Sequence, residues 1–380
     1  VAIIIVGAGI AGLSLAVGLQ RAGVPVTVVE EREHLDGGAG ITLWPNALAA
    51  LDDLGLGAQV RRTGRQVSAG TVATPRGRRI RELDEADLAA ALGEPVIAIH
   101  RQTLMDLLVA HLRPGTIRWS APVAGVHVAG GRTLVELADG TELAASAVVG
   151  ADGIRSAIAR TLNPGLAMAH SGFTAWRGVA AVELDGGGQV WGNGAEFGWV
   201  PLAQGQTYWF AARRAPEGQD LGPAAELARL HHDFGHWDGP AADLIAATAP
   251  DGLARHDLPD RPLAKRWHAG SVVLIGDAAH PMRPNLGQGG CQGVEDAAVL
   301  SRLLVGAADP TAACAEFTRL RRRRVVGVAR QSWFLGTMIG LRPHAAASAL
   351  FRASSWLPQR LLLGQIATVA SADAYQKARR

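Results

Sequence analysis

Three short runs of the 380-residue chain carry residue types and spacings that could do chemistry. The first is Gly7-Ala8-Gly9-Ile10-Ala11-Gly12, set between an apolar strand and a helix, with Glu30 closing the next strand. In this pattern Gly7 permits a tight turn, Gly9 lets the backbone approach a pyrophosphate and Gly12 lets helix and strand pack closely. The helix N-terminus then offers unpaired N–H groups to phosphate, and Glu30 can accept from a ribose hydroxyl pair. The second run, Val148-Val149-Gly150-Ala151-Asp152-Gly153-Ile154-Arg155-Ser156 with Arg160 beyond it, ends a strand on an Asp-Gly turn. Alone it reads equally well as an ordinary strand-to-helix turn with Ser156 in the first turn. The third run holds Gly276-Asp277-Ala278-Ala279-His280-Pro281, then Pro284, Gly287-Gln288-Gly289-Gly290 and Glu295-Asp296-Ala297. It delivers Asp277 to the carboxyl end of a buried strand, where open α/β sheets bind ligands and an acidic acceptor suits ribose or ribityl hydroxyls. Its glycines bring bare backbone N–H groups to a helix start, a favourable place for developing negative charge.

The elements that must position these runs follow from periodicity. Val1–Val6 is a continuous apolar run, as in a strand buried on both faces of a parallel sheet. A helix is expected from about Ile10 to Ala22, stopped by Gly23, and Val26–Glu30 returns as the second strand. Leu35–Leu56 reads as a loop leading into a short helix, Arg101–Leu112 as a helix, and Thr133–Asp152 as a hairpin turning at Asp139-Gly140. Ser271–Ile275 restores the parallel-sheet pattern, and the chain beyond about Asp309 reads as helical with a break at Pro358. Between these lie short apolar runs such as Phe197–Leu202 and Thr207–Ala212, which suit antiparallel strands; Gly186-Gly187-Gly188 reads as a loop. The expected fold is α/β: a discontinuous Rossmann-like dinucleotide-binding domain (1–66, 99–165 and 260–308), a mostly antiparallel substrate domain (67–98 and 166–259), and a helical C-terminal segment (309–380). The glycine fingerprint alone does not distinguish FAD from NAD.

Composition narrows the class. Hydrophobic residues at 48% and charged residues at 19% describe a folded globular chain. A net charge of +3 suits phosphate-bearing ligands and gives no reason to expect nucleic acid. Two cysteines, Cys291 and Cys314, make no disulfide framework. The chain opens directly on its first strand, and no apolar run approaches the roughly 18 residues of a membrane span. The expectation is a cytoplasmic protein, monomer or homodimer, without stable membrane insertion.

The three runs, in this order and spanning residues 7 to 297, resemble the group A FAD-dependent aromatic monooxygenases with the p-hydroxybenzoate hydroxylase fold. Gly40-Ile41-Thr42-Leu43-Trp44-Pro45-Asn46, His100-Arg101 and Thr174-Ala175-Trp176-Arg177-Gly178 add to the likeness. Where many members carry Asn after Gly-Gln-Gly-x this chain has Cys291, as in the urate hydroxylase and zeaxanthin epoxidase-like branches. Cys291 reads as a small packing residue, since nothing nearby in sequence would stabilise a thiolate. The resemblance implies FAD held by Gly7, Gly9, Ala11, Gly12, Ile41, Pro284, Gly287, Gly289 and Gly290. It implies Glu30 on the adenosine ribose with Arg32 beside it, Arg101 near the pyrophosphate or ribityl chain, and Asp277 on the ribityl hydroxyls. Asp152 is implied in both FAD and NAD(P)H interaction. The implied chemistry is reduction of the flavin by NAD(P)H, addition of O₂, and transfer of oxygen from a flavin hydroperoxide to an electron-rich small molecule. Hydroxylation of a phenol-like ring leads; epoxidation of an alkene and a flavin dehydrogenase or oxidase are the alternatives.

The acid–base residue is not legible. Tyr208, on an expected substrate-domain strand, could bond a phenolic substrate or simply pack at a strand end. Arg177 could face substrate or hold the domain interface, and His280 lies near the implied flavin. Trp176, Trp191, Trp199, Tyr208 and Trp209 supply aromatic surface for a flat apolar substrate, with some of them expected in the core. His231, His232 and His236 read as a solvated helix face and no metal is expected. Arg319 and Arg321–Arg324 read as interdomain contacts or a solvated face. Ala345–Ala370 reads as a packed helix pair.

Overall fold

The computed structural model describes residues 2–35, 38–67, 69–130, 132–192, 194–339, 341, 356 and 358–379. Four β-strands, Val26–Val29, Ile3–Val6, Ala147–Gly150 and Val272–Leu274, run parallel as neighbours in a six-stranded sheet. Ile117–Arg118 extends it in parallel at one edge, and His268–Ala269 closes the other edge antiparallel. The central strands are buried because the sheet is covered on both faces, which is why Ile3–Val6 and Ala147–Gly150 read as unbroken apolar runs. All three chemical runs leave this sheet at its carboxyl edge, from strands that are direct neighbours.

Helix Ile10–Arg21 and helix Gly289–Leu304 pack against each other beside that sheet. Small residues set their approach: a Cβ on Gly293 would lie 3.1 Å from Ala11 Cβ, and one on Gly276 3.2 Å from it. Asn46 and the helix Pro45–Asp53 join the same core.

A second, seven-stranded sheet is antiparallel except for one parallel pair. Its order is Ala254–Asp260, Ala169–Ala180, Thr207–Arg214, Ala195–Pro201, Gly187–Gly192, Gly70–Ala73 and Arg79–Leu83. One face carries Trp176, Phe197 and Trp209 and buries them under helices Pro223–Phe234 and Ala241–Ala246. Strand alternation therefore sends Arg177, Glu196, Tyr208 and Phe210 to the opposite face. A small antiparallel sheet (Gly40–Leu43, Val96–His100, Arg65–Val67) joins the two large ones.

Several local expectations are corrected. Gly187 and Gly188 lie in a strand: a Cβ on Gly188 would sit 2.3 Å from Trp199 Cζ2, so the glycine makes room for the cross-strand indole. Leu35–Leu56 contains the strand Gly40–Leu43 ahead of its helix. The Asp139-Gly140 hairpin ends at Ala145, and Ala147–Gly150 belongs to the parallel sheet. Helix Pro310–Ile339 runs 30 residues, with Gln359–Ala370 and Ala372–Ala378 following. Most of the first half of Ala345–Ala370 lies outside the described residues. Among the described residues no helix is long and apolar enough to cross a membrane, and no group of His, Cys, Asp and Glu is arranged to hold a metal ion.

Candidate functional site

The glycines of the first run divide into two kinds. Gly7 has φ of +103°, and a Cβ there would lie 2.5 Å from the Ala151 carbonyl oxygen; a Cβ on Gly12 would lie 2.1 Å from the Gly7 oxygen. Both are glycine because protein fills the space. Gly9 differs: a Cβ there would meet no atom within 4 Å, so its bare backbone faces open space at the start of helix Ile10–Arg21. Glu30 holds this turn from the neighbouring strand, its two oxygens accepting from Ala8 N at 2.7 Å and Arg32 N at 3.1 Å. Each oxygen keeps a second lone pair for a ligand hydroxyl, and the Arg32 side chain is exposed beside it.

Asp152 and Asp277 close the two adjacent strands. Asp152 Oδ2 accepts from Ala157 N at 2.7 Å, while Oδ1 is buried and unpartnered. Burial pushes its carboxyl pKa up, against the hydrogen bonds of Ser156 and the nearby backbone. Asp277 reaches solvent yet has protein on most sides, the environment of a group lining a recess. That crowding raises its pKa, and the charges of His280, Arg101 and Arg261 pull it back part of the way. Sequence reasoning missed Arg261: it is buried, donates through Nη2 to the Asp277 and Ala278 carbonyls at 2.8 and 2.7 Å, and leaves Nε and Nη1 unpartnered.

The loop of the third run is held from behind. Pro284–Leu286 forms a single 3-10 turn, Gly287 adopts φ of +62° under the Trp44 indole, and Gly289 opens helix Gly289–Leu304. No side chain caps that helix. A Cβ on Gly290 would touch Ile41 Cδ1 at 2.8 Å, whereas one on Gly289 would meet only Met282 Cγ at 3.8 Å. Asn46 Nδ2 donates to Gln288 Oε1 and Glu295 Oε1 at 3.0 and 2.6 Å, and Gln292 joins the same acceptors.

Arg321 completes this buried network, so at Arg321 and Arg324 the run makes contacts between the C-terminal segment and helix Gly289–Leu304 and is not a solvated face. Arg321 is fully buried and pairs with Glu295 and Asp296; Arg324 binds Glu295 as well, while Arg319 is exposed with Glu316. Burial alone would push both acids up. Arg321 and Arg324 outweigh it for Glu295, and His280 and Arg321 for Asp296, so both carboxyls titrate below their ordinary range. His280 is wholly buried, its Nε2 on Asp296 and its ring 5.2 Å from that of Trp267. Asp296 also accepts from Gly276 N at 2.9 Å, so the network fixes the backbone on which Asp277 stands.

Toward the loop lies the other face of the seven-stranded sheet, partly packed against the small sheet. The Tyr208 ring lies flat on Gly40, where a Cβ would meet Tyr208 Cγ at 2.6 Å. Burial raises the phenol pKa, and the Arg177 and Arg101 guanidiniums oppose that rise. Arg101 thus sits within electrostatic reach of both Tyr208 and Asp277. Arg177 Nη1 also approaches His256 Nδ1 at 3.4 Å. The other phenol, Tyr375, is bonded to Asp53 at 2.6 Å beneath helix Pro45–Asp53. Sequence reasoning also missed Glu196, whose signal was a lone acid in the apolar strand Ala195–Pro201; Asn285 of the 3-10 turn donates to it at 3.0 Å.

These features fit FAD. An open glycine turn at a helix start suits a pyrophosphate, and Glu30 and Asp277 suit hydroxyls. The uncapped start of helix Gly289–Leu304 suits an electron-rich ring. Among the buried polar atoms without a described partner are Trp44 Nε1, Gln288 Nε2 and Asn46 Oδ1 beside the loop, and Asp152 Oδ1 beyond the strand Ala147–Gly150.

The comparisons agree with this geometry. Residues 1–325 match the family model described as an FAD binding domain. The chain is 39% identical over 365 residues to the aurachin C monooxygenase/isomerase of Stigmatella aurantiaca, covering 95% of this chain and 93% of that one. It is 34% identical over 345 residues to the 2-heptyl-3-hydroxy-4(1H)-quinolone synthase of Pseudomonas aeruginosa (strain UCBPP-PA14), covering 88% and 89%. The crystal structure of Klebsiella pneumoniae HpxO with FAD and uric acid superposes with a TM-score of 0.90 at 24% identity, over 97% of this chain and 96% of that one. By fold, by sequence and by the donors gathered at its sheet edge, the chain belongs to the family of FAD-dependent monooxygenases.

Proposed function

We propose that this protein is an NAD(P)H-driven monooxygenase that inserts one oxygen atom of O₂ into a flat, electron-rich aromatic molecule bearing a phenol-like hydroxyl or a ring N–H. One observation carries the reading. The uncapped start of helix Gly289–Leu304, where a Cβ on Gly289 would meet only Met282, follows the turn whose Asn285 bonds Glu196 on a sheet face built of Tyr208, Phe210, Arg177 and Glu196. That juxtaposition supports a cofactor ring on one side and a small aromatic substrate on the other. The names of the relatives, a quinolone synthase and a 3-amino-4-hydroxybenzoate 2-monooxygenase among them, point to the same substrate class.

In this reading Gly7, Gly9, Ala11 and Gly12 form the pyrophosphate turn, with Glu30 and Arg32 at the adenosine ribose. Asp277 and Arg101 serve the ribityl and pyrophosphate segment, and Ile41, Pro284, Gly287, Gly289 and Gly290 surround the ring. Asp152 stands between cofactor and nicotinamide donor. When bound, FAD supplies the redox chemistry, accepting electrons from NAD(P)H and passing on one oxygen atom of O₂. The protein's own part is positional and electrostatic. The Gly289 and Gly290 N–H groups favour negative charge at the ring, and the sheet face excludes water from the substrate. Arg177 steadies the Tyr208 hydroxyl, while His280 works from behind through Asp296. Residues 1–66, 99–165 and 260–308 form the cofactor domain in this division, and 67–98 with 166–259 the substrate domain.

The test is a panel of phenols and 4(1H)-quinolones added to FAD-loaded protein with NADH or NADPH under air. The expected result is substrate-stimulated nicotinamide oxidation with one ¹⁸O from ¹⁸O₂ in the product. Nicotinamide oxidation that yields only hydrogen peroxide across the panel would overturn the monooxygenase reading.

A further inference from the structure

Glu196 is a carboxylic acid in an unusual position. It is only 5% exposed, yet it belongs to the sheet face that looks toward the cofactor loop. Burying a carboxylate without compensation is costly, and native proteins pair such groups with a cation or several donors. Here Asn285 Nδ2 is the one described donor, at 3.0 Å to Oε1. Two other buried acids show the contrast: Glu295 has Asn46, Gln292, Arg321 and Arg324, and Glu226 accepts from Trp176 Nε1 at 2.8 Å with Arg255 beside it.

Register defines what surrounds the carboxyl. Glu196 pairs with Ala212 on one side and Trp191 on the other, and two residues along Gly198 pairs with Phe210. The Phe210 ring covers Gly198, where a Cβ would lie 2.3 Å from Phe210 Cζ, and its centroid is 6.0 Å from that of Tyr208. The face therefore offers a strip of aromatic surface with Tyr208 at one end and Glu196 at the other. The titratable and charged groups on or against it include Tyr208, Arg177, His256 and Arg81 from the sheet, Arg101 beside Tyr208, and Arg283 from the loop. Arg283 is itself shared with Asp260 at 3.3 Å. Among the described residues no ion pair joins them to Glu196, and burial raises its pKa to about 7.

We infer that Glu196 is the acceptor for the ring N–H or hydroxyl O–H of the aromatic substrate and the base that takes its proton, an assignment that rests on the monooxygenase reading. In that step the substrate N–H or O–H bond breaks and a carboxyl O–H bond forms. The bonding pair stays on the substrate heteroatom, so the negative charge passes from Glu196 to the substrate. The heteroatom pair then feeds the ring, which becomes a better nucleophile toward an electrophilic oxygen. A base with this pKa is half-ionised near neutrality, the condition that favours proton transfer in both directions.

Equilibrium binding to the FAD-loaded protein, without nicotinamide, tests this by calorimetry. Two matched pairs serve as probes: 2-heptyl-4(1H)-quinolone with its 1-methyl derivative, and 3-amino-4-hydroxybenzoate with its 4-methyl ether. At pH 8.5 at least one donor should bind ten-fold or more tighter than its methylated partner, and the preference should shrink below about pH 6 as Glu196 protonates. Glu196→Gln keeps an oxygen for Asn285 but turns an amide donor toward the ligand, so it should abolish the preference; Glu196→Leu should do the same. FAD content and the thermal midpoint of each variant report folding. A preference that survives both substitutions, or its absence from both pairs in the wild type, overturns the assignment. A donor that is bound selectively but yields only peroxide when NAD(P)H is added leaves the assignment standing and removes the monooxygenase reading instead.

Discussion

Arg321 Nε donates to Asp296 Oδ1 at 2.7 Å with both side chains fully shielded from solvent, and Asp296 in turn accepts from the Gly276 backbone. An arginine of helix Pro310–Ile339 thereby holds the turn that carries Asp277. Removing one partner of a buried pair strands the other charge, at a typical cost of about 3–5 kcal/mol. Arg321→Ala is expected to lose that much in urea unfolding of the FAD-saturated protein. The sign of the pH effect follows. Glu295 and Asp296 have depressed pKa values, so their contribution is present above the ordinary carboxyl values of 4.5 and 3.8 and is lost as pH falls through the lower folded values. Acid should thus erode the wild type more steeply than the variant. A loss under about 1 kcal/mol would mean that the acids find other partners.

Asp277 offers a separation of affinity from stability. Losing a charge-assisted hydrogen bond to a ligand costs about 1.5–3 kcal/mol, roughly a ten- to hundred-and-fifty-fold weaker Kd. Asp277→Ala should show that loss in FAD titrations. The folded pKa is raised, so the carboxylate destabilises the FAD-free protein increasingly as pH climbs past its ordinary 3.8. The FAD-free variant should therefore unfold at the same temperature as wild type at pH 7, or higher. Unchanged FAD affinity in a folded variant would remove Asp277 from the cofactor site.

What the sequence made legible was local. Gly7, Gly9 and Gly12 announce their turn because each spacing has a steric meaning within six residues, and the structure adds only which glycine faces protein and which faces space. The position of Asp277 was legible for the same reason, as the first acid beyond an apolar strand. Distant partners left no such trace. Arg321 could be read as solvated or as an interdomain contact because its acids lie 25 and 26 residues upstream on another helix. Glu196 drew no reading because Asn285, 89 residues away, is what ties it to the cofactor loop. Gly188 looked like loop because its reason, the Trp199 indole on the next strand, is a cross-strand contact.

Both thiols are expected to be silent in the native protein. Cys291 and Cys314 are buried, and burial pushes each pKa up to about 12. The thiolate is the reactive form, so an exposed-thiol reagent at pH 8 should find no fast equivalent in the folded protein. Denaturant should release both cysteines. One rapid equivalent before unfolding would show that the Cys291 segment opens, and with it the start of helix Gly289–Leu304.

The adjacent glycines of that helix start separate ligand contact from packing. A Cβ on Gly290 would press on Ile41 Cδ1 at 2.8 Å, whereas one on Gly289 would meet Met282 Cγ at an ordinary 3.8 Å. Gly289 does not occupy the left-handed region, so a side chain there carries no backbone strain. Gly290→Val should therefore lower the thermal midpoint of the FAD-free protein, while Gly289→Val should leave it close to wild type. The order should invert in stopped-flow reduction of the FAD-loaded forms by NAD(P)H. A valine at position 289 projects into the space proposed for the ring and screens it from the N–H groups that favour its reduced, anionic form. Reduction at the wild-type rate in Gly289→Val, with product still formed, would show that the open space in front of Gly289 is not the seat of the flavin.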